Sequence, residues 1–241
     1  MYEHEYDEMY RLESSYWWYV ARRSLAVDLL RDELSRRDSA RILDVGCGTG
    51  ANAKAFARVA QTMGIDMSVD ALHFCQARGI NSVALSPVET LPFAGQTFDV
   101  VTALDVLEHT DDDLSALREI HRVCAKQGLL LATVPAYGFL WSEHDEALKH
   151  RRRYTAHELR NKLTITGFEV VRTSYFITSL FFPILALPPR PKKSWQNFVR
   201  PGTRNSRPCK WTLPTWPSIA LPMSGTPTSA TPPSSGPGAC L

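Results

Sequence analysis

The chain has 241 residues, of which 44% are hydrophobic and 22% charged, and this is enough apolar material to fill the core of one globular domain. A chain that is disordered throughout is therefore excluded. Eight of the 27 basic residues follow Glu169, the last of the 25 acidic residues, so residues 1–169 carry a net charge of −6 and residues 170–241 a net charge of +8.

The first segment, residues 2–37, is predicted to be largely helical. It is unusually aromatic at residues 16–19 (YWWY), which are followed by Arg22 and Arg23. Two arrangements stay open: the rings close over a functional site, or they only dock the first helix on the rest of the fold. We assign residues 1–38 to an N-terminal helical cap.

From residue 41 onward, strand-like and helix-like segments alternate. Short apolar runs predict strands at 41–45, 62–65, 82–85, 98–104, 129–134 and 168–175. Helical spacing and N-capping signals predict helices at 50–59, 69–77, 111–124 and 155–163. This alternation is typical of a doubly wound α/β fold, with a mostly parallel sheet and helices on both faces. Ligands of such folds bind at the carboxyl ends of the strands.

Individual residues mark several helix boundaries. Ser68 is an N-cap candidate, and Thr155 with Glu158 forms the pattern of a capping box. The helix that begins near Asp111 carries acidic residues in its first turn, where the helix dipole favours them. Gly128 is expected to end that helix.

A glycine-rich loop, LDVGCGTG, lies where the first strand turns into a helix and contains Gly46, Gly48 and Gly50. Glycine tolerates positive φ and lets a ligand approach the backbone. With Ala51 the loop also satisfies the dinucleotide fingerprint G-x-G-x-x-G/A, so the glycines alone do not identify the cofactor. Asp44 discriminates, because its carboxylate would repel a pyrophosphate and favour the cationic ammonium and sulfonium groups of S-adenosylmethionine.

Four motifs together make the chain recognisable: LDVGCGTG at 43–50, GIDMS at 64–68, ETLPFAGQTFDVVTALDVLEH at 89–109 and QGLLLATVPA at 127–136. In this order they resemble the class I S-adenosylmethionine-dependent methyltransferases of the small-molecule type. The resemblance covers residues 40–176. It implies S-adenosyl-L-methionine as the cofactor and a seven-stranded sheet whose last strand is antiparallel.

The resemblance also implies a set of cofactor-binding residues. The glycine loop faces the methionine part, Asp66 holds the ribose, and residues after the third strand frame the adenine. Where the family commonly has an adenine-binding Asp, this chain has Pro87, so backbone groups near Val88 and Glu89 are expected to hold the adenine. The predicted set is Asp44, Gly46, Cys47, Gly48, Gly50, Asp66, Met67, Val88, Glu89, Leu104 and Asp105.

Two histidines are candidate catalytic bases. His109 follows the fourth strand and is either a base for an oxygen or nitrogen nucleophile or a hydrogen-bonded loop residue. His144 lies in the segment 140–154 (LWSEHDEALKHRRRY), which resembles a pattern found in a related bacterial subgroup. Asp145 is expected to orient the ring of His144.

The end of the same segment supplies candidate substrate-binding residues, Arg152, Arg153 and Tyr154. Arginines above the cofactor could clamp a phosphate or carboxylate of the substrate. The alternative is an ordinary solvated charged surface.

No metal ion is expected, because the histidines lack the H-x-x-x-H or His/Cys spacing typical of ligands. The five cysteines are odd in number and contain no C-x-x-C pair, so they are predicted to be reduced thiols. No run of about 18 apolar residues occurs, and the acidic, aromatic residues 1–10 do not resemble a secretory signal. These features favour a cytoplasmic location.

The composition changes towards the end of the chain. We assign residues 39–187 to the S-adenosylmethionine-binding methyltransferase domain and residues 188–241 to a proline-rich, disordered tail. Two explanations of the tail stay open: a native linker, or loss of the last antiparallel strand through a reading-frame change after residue 193. The apolar run 175–187, with basic residues behind it, also allows a peripheral membrane contact.

The sequence thus predicts an enzyme that transfers a methyl group from S-adenosylmethionine to a small-molecule or lipid-linked acceptor. Nucleic acid is not expected as a partner, because the body of the chain is acidic. Two rivals stay open: a non-catalytic member of the fold that binds the cofactor, and an NAD-dependent oxidoreductase. The sequence indicates neither the acceptor atom nor the oligomeric state.

Overall fold

Five strands form the sheet in the computed structural model, which describes residues 3–35, 37, 39–176 and 178. They are β1 (Arg41–Val45), β2 (Gln61–Asp66), β3 (Val83–Leu85), β4 (Phe98–Leu104) and β5 (Cys124–Thr133). The strands are parallel and follow the order β3-β2-β1-β4-β5. The chain therefore winds outward in both directions from β1 and β4, which opens a crevice at the carboxyl ends of these two strands.

Helices cover both faces of the sheet, and the predicted fold class is confirmed. They are α1 (Glu3–Leu12), α2 (Trp17–Leu34), α3 (Ala51–Phe56), α4 (Val69–Ala77), α5 (Asp113–Val123), α6 (Glu143–Ala147) and α7 (Ala156–Ile165). On one face Leu30 of α2 and Phe56 of α3 pack with Ile42 of β1. On the other face Leu117 of α5 packs with Val101 of β4.

The local capping signals are confirmed. The Ser68 side chain accepts a hydrogen bond from the Ala71 N–H at 3.3 Å, and α7 begins with the capping box of Thr155 and Glu158. The carboxylate of Asp112 caps α5 by accepting from two backbone N–H groups of its first turn. Such contacts depend on residues three or four positions apart, so the sequence carries them directly.

The prediction that Gly128 ends a helix is wrong. Helix α5 ends at Val123, and Gly128 lies within β5. The pairing of β4 with β5 is irregular here, because Phe98 faces Cys124 whereas Val100 already faces Leu129. The extra residues bulge out of the ladder at Gly128, where an added Cβ would come within 2.8 Å of the Ala125 carbonyl oxygen. The glycine serves a crowded bulge rather than a helix end.

The predicted sixth strand at residues 168–175 is also wrong. This segment has no strand assignment, and Val171 within it is 85% exposed. A strand forms only where its backbone pairs with a neighbour, and no described strand pairs with this segment. The side chains of β5 between Leu129 and Thr133 are consequently half-buried rather than buried.

The tail assigned to residues 188–241 lies outside the described residues, and so does nearly all of the apolar run 175–187. The hypotheses of a lost strand and of a membrane contact stay predictions. Among the helices of the described residues, none combines the length and the apolar character needed to cross a membrane.

Candidate functional site

The glycine-rich loop after β1 is built for close approach of a ligand. Gly46, Gly48 and Gly50 all have positive φ, at +63°, +53° and +87°. An added Cβ at Gly46 would come within 2.6 Å of Val106 Cγ2, and one at Gly48 within 3.2 Å of Met9 Sδ. The loop therefore requires glycine for both its conformation and its packing.

Asp66 at the end of β2 fixes this loop from the neighbouring strand. Its carboxylate accepts hydrogen bonds at 2.9 Å from the backbone N–H groups of Gly48 and Ser68. Burial raises the pKa of Asp66, against the lowering effect of these two hydrogen bonds. The carboxylate lines the crevice and retains acceptor capacity for a hydroxyl group.

Asp44 lies within β1, just before the glycine loop, and only 1% of its surface is exposed. Its Oδ1 accepts a 2.6 Å hydrogen bond from Thr102, whereas Oδ2 has no hydrogen-bond partner within the described structure. Burial raises the pKa of this carboxyl to about 7. An orphaned buried acceptor of this kind fits a cationic donor such as the ammonium of S-adenosylmethionine.

The crevice brings together most of the predicted cofactor-binding residues. Its lining includes Gly46, Cys47, Gly48, Asp66, Met67, Val88, Glu89, Leu104 and Asp105. Asp44 and Gly50 are buried and do not contribute to the lining. Gly50 packs inside the protein instead: it is the N-cap of α3, and an added Cβ would lie 2.9 Å from Cys75 Sγ.

The N-terminal helices extend over the same edge of the sheet. Glu13, after α1, forms an ion pair with Arg78 at 2.6 Å and accepts a hydrogen bond from the Thr49 hydroxyl of the glycine loop. Arg78 in turn donates to the carbonyls of Thr49 and Tyr10, each at 2.8 Å. A buried ionic network thus attaches the first helix to the loop.

Helix α2 places a buried cation in the crevice. Arg22 forms an ion pair with Asp105, the residue after β4, and only 11% of its side chain is exposed. Burial lowers the pKa of Arg22. Asp105 also accepts a 2.8 Å hydrogen bond from Thr133 of β5. In the sequence Arg22 follows the aromatic residues 16–19, and no spacing pattern links it to Asp105.

The segment between β5 and α7 is organised around one buried carboxylate, Asp145. It accepts two hydrogen bonds from the Arg153 guanidinium and one from His150 Nδ1, all at 2.8 Å. Although burial raises the pKa of Asp145, the hydrogen bonds from Arg153 and His150 outweigh it and hold that pKa well below its ordinary range. Asp145 therefore orients His150, and the expectation that it orients His144 is corrected.

The three predicted substrate-binding residues make contacts within the protein. Arg153 pairs with Asp145, and Arg152 donates to the Asp111 carbonyl at 2.8 Å. The Tyr154 hydroxyl donates at 2.8 Å to Asp113. Arg153 and Tyr154 line the crevice, whereas Arg152 does not. All three side chains thus have hydrogen-bond partners within the protein, which the sequence did not indicate.

The two candidate bases occupy different surroundings. His109 is half-buried, and burial together with the nearby His150 lowers its pKa to about 4. Its ring lies edge-on to that of His150, with centroids 4.8 Å apart. His144 is exposed, and its ring centroid is 6.5 Å from that of His150. Both candidates line the crevice.

Next to His109 lies a buried carboxyl group, that of Glu108, which is not among the predicted site residues. Glu108 is 0% exposed, and neither of its carboxylate oxygens has a hydrogen-bond partner within the described structure. Burial raises its pKa to about 8. A buried carboxyl group without a hydrogen-bond partner is rare in native proteins, and this one lies just after the end of β4.

Comparison with known proteins bears on the family and the fold of this chain. Residues 43–132 match the family described as "Methyltransferase domain". The crystal structure of the YcgJ protein from Bacillus subtilis superimposes with a TM-score of 0.50 at 26% identity, covering 59% of this chain and 68% of that one. The segment that matches the family thus includes the glycine loop, and the fold is similar to that of a solved structure.

Two curated relatives are O-methyltransferases. The ubiquinone biosynthesis O-methyltransferase of Pseudomonas syringae pv. tomato is 36% identical over 107 residues, 40% of this chain and 45% of the relative. The malonyl-[acyl-carrier protein] O-methyltransferase of Pseudescherichia vulneris is 29% identical over 141 residues, 55% of this chain and 56% of the relative. The chain thus spans about half the length of these two relatives.

Proposed function

We propose that this chain, a class I S-adenosylmethionine-dependent methyltransferase, transfers the methyl group to an oxygen atom of a small-molecule or lipid-linked acceptor. The observation that carries the proposal is the crevice at the ends of β1, β2 and β4. There the glycine loop, with positive φ at Gly46 and Gly48, and the Asp66 carboxylate line one binding site, and the orphaned Asp44 oxygen lies buried in β1 immediately before the loop.

These residues fit the parts of S-adenosylmethionine separately. The glycine loop allows the methionine part to approach the backbone, the Asp44 carboxylate complements its ammonium group, and Asp66 can accept from the ribose hydroxyls. Val88 and Glu89 line the same crevice and are proposed to frame the adenine. The bound cofactor supplies an electrophilic methyl group on a sulfonium.

The acceptor is proposed to enter beside His109. With S-adenosylmethionine bound, an acceptor oxygen would form a bond to the methyl carbon while the carbon–sulfur bond breaks, which would leave S-adenosylhomocysteine. The acceptor's proton passes to a group at the end of β4, where Glu108 and His109 lie. Holding the oxygen in line with the methyl group supplies much of the rate, because positioning replaces an encounter of two free molecules.

Aromatic side chains at the mouth of the crevice favour an acceptor with a ring or an apolar part. Tyr137 and Tyr175 are stacked with centroids 5.2 Å apart, and Trp18 contacts Phe176 at 5.9 Å. All four side chains line the crevice. The two relatives act in ubiquinone biosynthesis and on malonyl-[acyl-carrier protein], so hydroxylated rings and carboxylates carried on a protein are the first acceptors to test.

The test is release of S-adenosylhomocysteine by the purified full chain with each of these acceptors. We expect release that depends on the acceptor and is strongly reduced in Asp66→Ala. Binding of S-adenosylmethionine without turnover on any acceptor would instead favour the non-catalytic rival. Reduction of NAD by a hydroxylated substrate would favour the oxidoreductase.

A further inference from the structure

Three side chains that the sequence keeps apart meet at the end of β4. Glu108 and His109 belong to the single turn of 3-10 helix at Leu107–His109, and His150 comes from the segment before α7. One potential ligand atom from each lies within 4.8 Å of the others. All three residues are among those that line the crevice.

The carboxylate of this cluster lacks a partner. Both Glu108 oxygens are fully buried and accept no hydrogen bond within the described structure, although Arg22 and Arg153 lie close enough to interact electrostatically. Native proteins rarely leave a buried carboxylate in this state, because the desolvation cost is not recovered. A cation bound between Glu108 and the two imidazoles would recover it.

Each histidine of the cluster also has a hydrogen-bond acceptor outside the cluster. His150 Nδ1 lies 2.8 Å from Asp145 Oδ1, and Asp145 is itself held by two hydrogen bonds from Arg153. His109 is hydrogen-bonded to the backbone of Lys149. A carboxylate or carbonyl behind an imidazole is the usual support of a metal ligand, since it fixes the tautomer and leaves the other nitrogen free to coordinate.

We propose that Glu108, His109 and His150 bind one divalent transition-metal ion, zinc fitting best, with an open coordination position towards the crevice. Two histidines and one glutamate are a known ligand set of zinc sites that keep a fourth position for water or substrate. Zinc ligands lie about 2.0–2.2 Å from the ion, so modest rotations of the three side chains suffice to close the site.

The proposed site departs from the expectation of no metal because its ligands are far apart along the chain. His109 and His150 are separated by 41 positions, and spacing rules detect only ligands that are close in sequence. The fold brings the two residues together because the backbone N–H of Arg151 donates to the Glu108 carbonyl at 2.7 Å.

The role of the ion towards the acceptor rests on the proposed function. An ion with an open position binds oxygen donors, so the site selects acceptors that offer a hydroxyl or a carboxylate. Coordination lowers the pKa of a bound hydroxyl and makes its oxygen a better nucleophile. When the ion is bound, Glu108 and His109 act as ligands instead of proton acceptors, and the acceptor's proton leaves to solvent.

The experiment is titration of the chelator-treated full chain with Zn²⁺, with metal analysis after dialysis. We expect one zinc ion per chain, and a loss of affinity of about 100-fold or more in Glu108→Gln and in His150→Ala. The positioning variant Asp145→Asn should lose about 10- to 100-fold, as for other residues that support metal ligands. The matched control is His157→Ala, an exposed histidine on α7, which should bind zinc like the parent.

Folding of each variant is checked by urea unfolding, which does not depend on cofactor binding. Failure of the parent to bind zinc, or equal binding by the parent and both cluster variants, overturns the inference. Methyl transfer that persists without zinc binding would overturn the metal site and leave the proposed function intact. Zinc binding to the cluster without S-adenosylmethionine binding would support the site and contradict the proposed function.

Discussion

Replacing Gly46 with alanine has two energetic costs, one for placing alanine at positive φ and one for the close contact of its Cβ with Val106. Gly46 has a φ of +63°, and an alanine Cβ there would lie 2.6 Å from Val106 Cγ2. Left-handed backbone costs a residue other than glycine about 1–2 kcal/mol, and overpacking costs about 1–3 kcal/mol more. The stiff, β-branched Val106 cannot rotate its methyl group away cheaply. We therefore expect Gly46→Ala to lower the free energy of unfolding by about 2–5 kcal/mol.

Gly79→Ala is the matched control. Gly79 has a φ of +83°, but no atom lies within 4 Å of the position of an added Cβ. The free energy of unfolding of Gly79→Ala should fall only by the cost of positive φ, about 1–2 kcal/mol, and this variant should bind S-adenosylmethionine like the parent.

The assays are urea unfolding and calorimetric titration with S-adenosylmethionine. If binding requires the native loop, the packing part should weaken the affinity of Gly46→Ala by roughly 5- to 150-fold. Adding Val106→Ala to Gly46→Ala should remove the loss caused by the close contact and leave only the cost of positive φ. Gly46→Ala and Gly79→Ala with equal unfolding free energies and unchanged affinities would refute the packing argument.

Three further variants test separate contacts. Asp66→Ala should weaken S-adenosylmethionine binding by about 1.5–3 kcal/mol, the usual contribution of hydrogen bonds to a charged group, and an unchanged titration would contradict the site. Arg153→Ala leaves the 0% exposed Asp145 without its ionic partner and should lower the free energy of unfolding by about 3 kcal/mol, whereas a loss below about 0.5 kcal/mol would show that His150 and Ser142 suffice. Burial raises the pKa of Asp113, but hydrogen bonds from Lys162 and Tyr154 outweigh it and lower that pKa. The Asp113 carboxyl therefore binds a proton less readily in the folded state than in the unfolded state. Its ionised form stabilises the folded state at pH values above the unfolded pKa, and this stabilisation is lost as the pH falls through the folded pKa. Urea unfolding over an acid pH series should show a weaker pH dependence for Asp113→Asn, and parallel curves for variant and parent would contradict this.

The sequence predicted those features that depend on neighbouring residues. The strand and helix alternation, the Ser68 cap, the Thr155 capping box and the glycine loop all rest on contacts within a few positions. Their physical causes are backbone conformation and local hydrogen bonding, which short segments carry by themselves.

The features that were missed depend on partners far along the chain. Residues 168–175 have strand-forming side chains, but no described strand pairs with them. Asp145 orients His150 and not its sequence neighbour His144. The reason is that Asp145 lies in the first turn of α6 with its side chain buried, where it contacts His150. Arg22 reaches Asp105 across the crevice, and Glu108 is buried by the fold as a whole. None of these contacts leaves a spacing pattern in the sequence.

Calorimetric titration of the full chain with S-adenosylmethionine, and separately with NAD, tests the central claim most directly. The arrangement of Asp44 and Asp66 around the glycine loop predicts saturable binding of S-adenosylmethionine at one site per chain, and no binding of NAD, because Asp44 repels a pyrophosphate. Binding of NAD, with none of S-adenosylmethionine, would contradict the account.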